Sequence, residues 1–417
     1  ELYLQKKSEN EGWERQINGL SNNEKANLLL EKHTFKELLA DVEQRNLQNN
    51  IVGLEASRLF ARSEINMGVD AFRDSLYAML KRNTFLNIKF ENMLDTLGEM
   101  SRTDLYSYLK EWEQLTPLPF YSIGEPELTK VVNKGGEEFF VLKVLVSNNS
   151  DYDGIIQMNV LQNGWWYQPM EDPRARKKVE IAAHTSKEFV SVWEEQIRDV
   201  EINTMVSGNL PYMIRQSIGN VKQERNKIVK DTIYTLPESS LEMPGEVIVD
   251  NEDSTLFVLS TPAVVGLLPK WLDKVEDTSF KYSGISWWRA PLQWTATTNA
   301  KYYGKYIRSA YVIKSGDGSQ TATWKIPVPE AGQYELYYHV FKDDELRWND
   351  RLQGEYHFRV AYDSEMEDAY INLRKANEGW EQLGTYYFSA DTVRVVLTDE
   401  CKLRSVTADA VKIVKRY

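Results

Sequence analysis

The sequence predicts a multidomain protein of the α plus all-β class, in which a helical region comes before two β-sandwich regions. Its 417 residues are enough for roughly two to four domains. Up to residue 118, glycine and proline are sparse and apolar residues recur at helical spacing. From Pro119 onward, apolar and polar residues alternate over short segments separated by turns, which is the pattern of antiparallel strands.

The composition excludes several classes of protein. Lys and Arg number 50 against 62 Asp and Glu, and the net charge of −12 argues against a nucleic-acid partner, which requires a basic surface facing the phosphates. The single cysteine excludes a disulfide framework and a cysteine-rich zinc module. Four scattered histidines leave little room for a histidine-based metal site. We therefore predict no metal and no cofactor.

The helical region is predicted to span residues 1–118. One helix is expected to bury Phe72, Leu76 and Met79, which fall on one face at helical spacing. Ser101-Arg-Thr-Asp104 has the pattern of a capping box, so another helix is expected to begin there, with Ser101 accepting from the amide of Asp104. Thr116-Pro-Leu-Pro119 ends the region, because proline lacks an amide donor.

Residues 119–230 are predicted to form a β-sandwich. Glu138–Ser147 alternates as a strand, Asn148–Gly154 is rich in turn residues, and Ile155–Val160 is the next strand. Further β-rich segments follow at Val179–Ala182, Glu188–Trp193 and Asp199–Asn203. Residues 231–280 contain prolines and an acidic run, and we expect them to form an extended connector.

Residues 281–417 are predicted to form a second β-rich domain. Turn sequences such as Ser315–Ser319 and Glu330–Gly332 separate alternating segments such as Thr321–Val328 and Gln333–Phe341. This range holds 19 Lys and Arg against 18 Asp and Glu, whereas the preceding residues hold 31 against 44. The change in charge balance supports a domain boundary near residue 280.

A series of short motifs runs in order through this last region. It reads Tyr303-Gly-Lys-Tyr306, Ser315-Gly-Asp-Gly318, Ala322-Thr-Trp324, Ala331-Gly-Gln-Tyr-Glu-Leu-Tyr337, Trp380-Glu-Gln-Leu-Gly384 and Ala408-Asp-Ala-Val411. Its order and spacing resemble the golvesin C-terminal-like domain, also called the xanthan-lyase carbohydrate-binding-like domain. The resemblance implies a jelly-roll-like β-sandwich, of a kind found at the ends of secreted or surface bacterial proteins, with a sugar-binding role.

A second series of motifs runs through the helical region. It comprises Gly68-Val-Asp-Ala-Phe72, Leu76 to Leu80, Phe90-Glu-Asn-Met-Leu94, Asp104-Leu105, Trp112 and Pro117 to Pro119. This order resembles the helical tail of the catalytic domain in aminopeptidase-N-like gluzincin metallopeptidases. In that family a small immunoglobulin-like sandwich follows, so the resemblance implies an immunoglobulin-like fold for residues 119–230.

The catalytic groups of that family are missing from this sequence. The zinc motif H-E-x-x-H does not occur, and the family's oxyanion-stabilising Tyr would fall near Val52-Gly53-Leu54, where there is no Tyr. The chain therefore lacks both the metal that activates water and the group that polarises the carbonyl. We predict no catalytic residues and no enzymatic activity for this chain.

The candidate ligand-binding residues lie at the entrance to the C-terminal sandwich and in one of its loops. They are Trp287, Trp288, Tyr303, Tyr306, Arg347, Trp348 and Asn349. An exposed aromatic ring can stack on the apolar C–H face of a pyranose, and neighbouring polar groups then fix the hydroxyls. Trp294, Trp324 and Trp380 are expected to lie in the core instead.

Two other groups of polar residues have simpler interpretations. The acidic runs Asp250–Asp253 and Asp343–Glu345 offer oxygen ligands, but neither has the spacing of a calcium loop, and solvated turns are expected. His339 and His357 fall in strands of the C-terminal region. We expect two partly buried imidazoles with hydrogen-bond partners rather than a paired metal site.

The predicted function is that of a non-catalytic, extracytoplasmic accessory region, located in the periplasm or at the cell surface of a bacterium. It is expected to recognise a polysaccharide or a cell-surface partner through the C-terminal sandwich, and no segment is apolar and long enough to span a membrane. One alternative is the C-terminal portion of a gluzincin-like zinc aminopeptidase whose metal-binding half lies upstream. The other is a purely structural or dimerisation module.

Overall fold

A computed structural model describes residues 14–15, 17–115, 117–162, 172–225, 229–238, 241, 245–260, 280–285, 289–342 and 354–416. They form mostly β-sheet with a smaller helical part near the N-terminus. The chain divides into two compact units. The N-terminal unit is Asn22–Leu241, and the C-terminal unit combines Glu1–Ser21 with Glu242–Tyr417. The four domain ranges predicted from the sequence divide the chain more finely than these two units do. They stay a prediction.

Six of the helices in the described part of the chain belong to the N-terminal unit. They are α1 (Asn22–Lys32), α2 (Phe35–Ala40), α3 (Gln48–Met67), α4 (Val69–Arg82), α5 (Phe90–Ser101) and α6 (Leu105–Glu111). Among the described residues, no helix combines the length and the apolar character needed to cross a membrane. A short 3-10 helix spans Pro173–Ala175.

The predicted capping box at Ser101 is wrong. Ser101 is the last residue of α5, and its hydroxyl donates to the carbonyl of Leu97 at 2.6 Å. The cap of α6 is instead Asp104, whose carboxylate accepts from the amides of Tyr106 and Ser107. Arg102 ends α5 in the left-handed conformation, so the chain has already left the first helix before the second begins.

The helices pack on the sandwich of the same unit through a shared core. Phe35, Leu38 and Ile51 are buried together with Leu118 and Val206, which lie outside the helices. A second cluster joins Phe72 to residues of α3, α5 and α6. The helical residues and the β-sheets are therefore stabilised as one compact unit, since removing either side would expose the shared apolar surface.

In the described ranges, the strands of the N-terminal unit form two sheets. They are β1 (Tyr121–Ile123), β2 (Glu127–Val132), β3 (Glu138–Asn148), β4 (Gly154–Gln162), β5 (Arg176–Ile181), β6 (Thr185–Trp193), β7 (Ile197–Asn203), β8 (Met213–Ser217), β9 (Val221–Arg225) and β10 (Thr232–Pro237). One sheet has the order β10-β6-β3-β2-β9 with β1 paired to β3, and the other has the order β5-β4-β7-β8. Each strand segment predicted from the sequence overlaps an observed strand.

The two sheets bury their inner faces against each other. Val144 of β3 and Phe189 of β6 share one buried cluster with Ile156 of β4 and Val200 of β7. This arrangement is a β-sandwich, as the alternating pattern predicted. The immunoglobulin-like connectivity that the second resemblance implies stays a prediction.

His184 joins three connections at one end of this sandwich. Its Nε2 lies 2.7 Å from Oδ1 of Asp151, which follows β3, and its Nδ1 lies 2.8 Å from Oε2 of Glu238, which follows β10. The hydrogen bonds to Asp151 and Glu238 raise the pKa of His184 above its ordinary value, because both favour the protonated ring. The backbone of His184 is left-handed, with φ of 52°.

The substitution His184→Asn is expected to cost stability only at low pH. A histidine whose pKa is raised in the folded state contributes stability below its ordinary pKa, and the contribution is lost as the pH rises through the folded value. Asn tolerates the left-handed backbone, so the change removes mainly the ion pairs. Thermal melting of the full chain at mildly acidic and at alkaline pH checks this, with His33→Asn at an exposed histidine as control. An equal loss at both pH values would contradict it.

The described strands of the C-terminal unit form three sheets. They are β11 (Glu246–Val249), β12 (Phe257–Leu259), β13 (Thr295–Thr298), β14 (Ser309–Lys314), β15 (Thr321–Pro327), β16 (Gly332–Val340), β17 (Glu355–Tyr362), β18 (Glu365–Asn372), β19 (Gly379–Phe388), β20 (Thr392–Thr398), β21 (Ser405–Ala408) and β22 (Val411–Lys415). The sheet orders are β11-β22-β16-β19, β12-β15-β20-β17-β18 and β13-β14-β21.

One large core lies between the first two of these sheets. Leu336 and Tyr338 of β16 are buried together with Trp324 of β15, Phe358 of β17 and Val395 of β20. Along β16 buried residues alternate with partly exposed ones, so this sheet has an inner and an outer face. The face-to-face packing of two antiparallel sheets is again a β-sandwich.

Residues outside the predicted range 281–417 also belong to the C-terminal unit, and part of the predicted connector belongs to the N-terminal unit. Within the range predicted as a connector, β10 pairs with β6 in the N-terminal unit, and β11 and β12 pair with β22 and β15 in the C-terminal unit. Thr298 Oγ1 donates to the carbonyl of Gly19 at 2.9 Å, so residues just before α1 belong with the C-terminal sheets. Backbone pairing, which the sequence pattern did not reveal, decides both assignments.

Candidate functional site

The predicted ligand-binding residues fall into two groups. Tyr303 and Tyr306 are described by the structure. The others lie outside the described residues: Trp287, Trp288, Arg347, Trp348 and Asn349. The candidate site is therefore built from Tyr303 and its neighbours.

Tyr303 lies in an aromatic cluster on the C-terminal unit. Its ring centroid is 5.0 Å from that of Trp380 and 5.8 Å from that of His339, each at an interplanar angle of 58°. Trp380 and His339 are direct partners across β19 and β16, and their rings meet edge to face at 5.1 Å. The Tyr303 and Trp380 side chains are half-buried, so part of each ring is available to a ligand.

The prediction that Trp380 lies in the core is wrong, and a β-bulge explains why. Along β19, Phe388 and Tyr386 point into the core, and the same parity would bury Trp380. The register between β16 and β19 shifts between Leu336 and Tyr337, which inserts one residue and reverses the parity beyond it. Trp380 consequently shares the outer face with His339.

Asp409 connects the Tyr303 loop to the sheet. Its side chain is fully buried, and both carboxylate oxygens lie 3.2 Å from the amide of Tyr303, which donates to them. Oδ2 also lies 2.9 Å from Nδ1 of His339. Burial raises the pKa of Asp409, although the neighbouring His339 opposes the shift. One buried carboxylate therefore positions two of the three rings in the cluster.

A lysine covers one side of Trp380. The Nζ atom of Lys412 lies 4.8 Å from the Trp380 ring centroid and 5.4 Å from that of Tyr337. The same Nζ pairs with Oε1 of Glu246 at 2.7 Å, and both side chains are largely buried. This cation–π contact and the ion pair fix the Trp380 ring, so a ligand would meet a preorganised surface.

Tyr306 has different surroundings. The side chain is half-buried, and the Nζ of Lys305 lies 5.6 Å from its ring centroid. The aromatic contacts of Tyr303 therefore define the candidate site.

Residues 288–415 match the family model of the Golvesin C-terminal domain. This range contains Tyr303, His339, Trp380 and Asp409, so the resemblance read from the C-terminal motifs is confirmed. No finding supports the aminopeptidase-N-like resemblance of the helical region, which stays a prediction.

Two solved structures are distantly similar to this chain. The CBM35 from Cellvibrio japonicus Abf62 is 12% identical, with 31% of this chain and 86% of that chain covered and a TM-score of 0.21. A Bacteroides uniformis β-glucuronidase is 11% identical, with 76% of this chain and 32% of that chain covered and a TM-score of 0.20. This chain thus spans about a third of the β-glucuronidase, and at these scores neither likeness carries an argument. No curated protein matches the sequence.

Two other tryptophans that the structure describes in the Golvesin-like domain, Trp294 and Trp324, lie at or beside its core. Trp324 is completely buried, as predicted, and its Nε1 donates to the carbonyl of Asp409 at 3.2 Å. Trp294 is partly buried against the same core. The domain therefore uses Trp324 for packing and Trp380 for its outer surface.

The two histidines of this domain are partly buried imidazoles with hydrogen-bond partners, as predicted. His339 pairs with Asp409, and His357, on the other large sheet, pairs with Asp368 at 2.7 Å between Nε2 and Oδ1. In the described ranges, no group of three or more His, Cys, Asp and Glu side chains is arranged to hold a metal ion. Asp253 is a turn residue that accepts from Thr255, and the run Asp343–Glu345 lies outside the described residues.

Sequence reasoning missed three members of the cluster. Trp380 was assigned to the core, His339 was given only a structural role, and Asp409 was noted only as part of a motif. The available signal was Ala408-Asp-Ala-Val411, since a lone carboxylate within an apolar strand end is expensive to bury without a specific partner.

Proposed function

We propose that this chain is a non-catalytic accessory region that binds glycan through its Golvesin-like domain. The observation that carries the proposal is the half-buried pair of Tyr303 and Trp380, which the buried Asp409 and the Lys412–Glu246 pair hold in place. Partly exposed rings held rigidly can stack on sugar C–H groups at little cost in conformational entropy. The matched family model supports the same reading.

The proposal includes an extracytoplasmic location and the absence of catalysis by this chain. The sequence contains no H-E-x-x-H motif, and the cluster combines aromatic rings with neutralised charges. Such a surface is suited to recognition of an uncharged sugar face. The glycan would lie in the same compartment as the domain, at the cell surface or in the periplasm.

Alanine at Trp380 or Tyr303 is expected to weaken glycan binding while leaving the fold intact. Loss of one stacking ring should weaken binding at least about tenfold, since aromatic contacts contribute on the order of 1 kcal/mol beyond the area they bury. The full chain and its Trp380→Ala and Tyr303→Ala variants would be compared on a glycan array and then by isothermal titration with the best neutral polysaccharide.

The control is Tyr234→Ala, which removes an exposed ring from the N-terminal unit. Binding by this control should equal that of the unaltered chain. Unchanged binding after loss of either Trp380 or Tyr303 would contradict the assigned site, and no binding to any glycan would contradict the function.

A further inference from the structure

The second large sheet of the C-terminal unit also has an outer face. In β15, β20 and β17 the buried residues alternate with residues that are partly or fully exposed. The inner residues, such as Trp324, Val395 and Phe358, belong to the core, so the intervening residues point away from it. This outer face is distinct from the one that carries Trp380, which belongs to the other sheet.

Three cationic side chains meet on this face. Lys325 of β15 is the direct cross-strand partner of Arg394 on β20. Arg359 of β17 is paired with Val396, two residues along β20, which makes it the diagonal neighbour of Arg394. Direct partners on one face have Cβ atoms about 5 Å apart and diagonal ones about 7 Å apart, so Arg394 is close enough to repel both Lys325 and Arg359.

No anion within the described residues offsets these charges by an ion pair. Lys325, Arg359 and Arg394 form none there, and the Nε of Arg359 is buried without a hydrogen-bond acceptor. Asp368 is the cross-strand partner of Arg359, but its Oδ1 is held by Nε2 of His357 at 2.7 Å. The nearby Glu400 is likewise engaged by His357, with its Oε2 at 3.3 Å from Nδ1 of that ring. A like-charged pair directly opposite on a sheet is destabilising, so this arrangement lowers the stability of the domain when no ligand is bound.

An aromatic platform adjoins the charges. The ring of Tyr370 on β18 stacks on that of His357, with centroids 4.9 Å apart and planes within 10°. Tyr370 is 58% exposed, and His357 is two residues from Arg359 on the same strand and face. The face thus combines an exposed ring with three cations on neighbouring strands.

We propose that this outer face binds an acidic polysaccharide. Carboxylates of successive sugar units would accept from Arg359, Arg394 and Lys325, and a pyranose would stack on Tyr370. The net charge of the chain is −12, so the cations form a local attractive site rather than part of a general basic surface. The inference rests on the proposed function only in that the ligand is a glycan, because the residues are different.

The test compares two probes, polygalacturonate as the acidic polymer and dextran as the neutral one, by isothermal titration with the full chain. In the variant Lys325→Gln/Arg359→Gln/Arg394→Gln, the affinity for polygalacturonate should fall at least about tenfold, because three charged donors to the sugar carboxylates are removed. Binding by the unaltered chain should also weaken as salt is added.

The matched control is Lys134→Gln/Lys314→Gln/Lys375→Gln, which removes the same charge at exposed positions elsewhere. It should bind polygalacturonate within about twofold of the unaltered chain. Equal losses in both triple variants would overturn the proposal, as would unchanged binding in the first. Circular dichroism of both variants confirms that each is folded.

The same titrations separate this inference from the proposed function. Polygalacturonate binding that survives Trp380→Ala but is lost in the cationic triple variant supports the inference and locates it away from Tyr303. Polygalacturonate binding that is lost only with Trp380 or Tyr303 overturns the inference and leaves the proposed function standing. Absence of polygalacturonate binding overturns the inference whatever other glycans bind.

Discussion

Replacing Trp324 with alanine is expected to lower the free energy of unfolding of the C-terminal unit by about 3–5 kcal/mol. Trp324 is completely buried, and its ring lies 5.3 Å from Phe257 and 6.2 Å from Tyr338 between centroids. Its Nε1 also donates to the carbonyl of Asp409, which the variant would leave without this donor. The loss therefore combines a large cavity with a broken buried hydrogen bond.

Hydrogen exchange followed by mass spectrometry measures this effect unit by unit. Protection in β15, β16 and β20 should fall by about a hundredfold or more, while peptides from β3 and β6 keep theirs, because the two units have separate cores. The control is Trp380→Ala, which removes the same residue type from the outer face. A comparable loss of protection in both variants would contradict the different roles assigned to the two tryptophans.

Replacing Asp409 with alanine is expected to destabilise the C-terminal unit by about 2–5 kcal/mol and to weaken glycan binding with it. The change leaves the amide of Tyr303 and the ring of His339 without their buried acceptor. The Tyr303 loop would then lose the bond that orients it toward Trp380. We expect the loss of binding to be at least as large as that of Tyr303→Ala.

The variant Asp409→Asn keeps the size of the side chain but removes its ability to carry a negative charge. Asparagine keeps one acceptor oxygen and avoids burying a charge, so it should cost less than alanine. Burial raises the pKa of Asp409, so the aspartate contributes its stability below the ordinary carboxyl pKa and loses it as the pH rises through the folded value. The advantage of aspartate over asparagine should therefore shrink with rising pH. An advantage that grows with pH would contradict this account.

The alternating pattern predicted much of the fold. It placed the strands around Glu138–Ser147 and Gln333–Phe341 and identified the change from helix to sheet near Pro119. It succeeded because one face of each strand is buried and the other is not, so local polarity reports the direction of each side chain. The C-terminal motifs likewise identified the Golvesin-like domain over the range that its family model matches.

Part of the candidate site could not be predicted in this way. Trp380 has the parity of a core residue, and the bulge opposite Leu336 and Tyr337 turns it outward. A bulge belongs to the pairing of two strands, so its position depends on a partner that is distant in sequence. The cations Lys325, Arg359 and Arg394 meet for the same reason, since three separate strands bring them together.

The sequence by itself determined that the chain is helical before Pro119 and β-rich after it, and that its last region is Golvesin-like, because these properties follow from local periodicity and short motifs. The tertiary structure alone decided that Asp409 supports Tyr303 and His339. It also decided which face carries Trp380. Both outcomes depend on strand register, and register is fixed by burying side chains from segments that lie far apart in the chain.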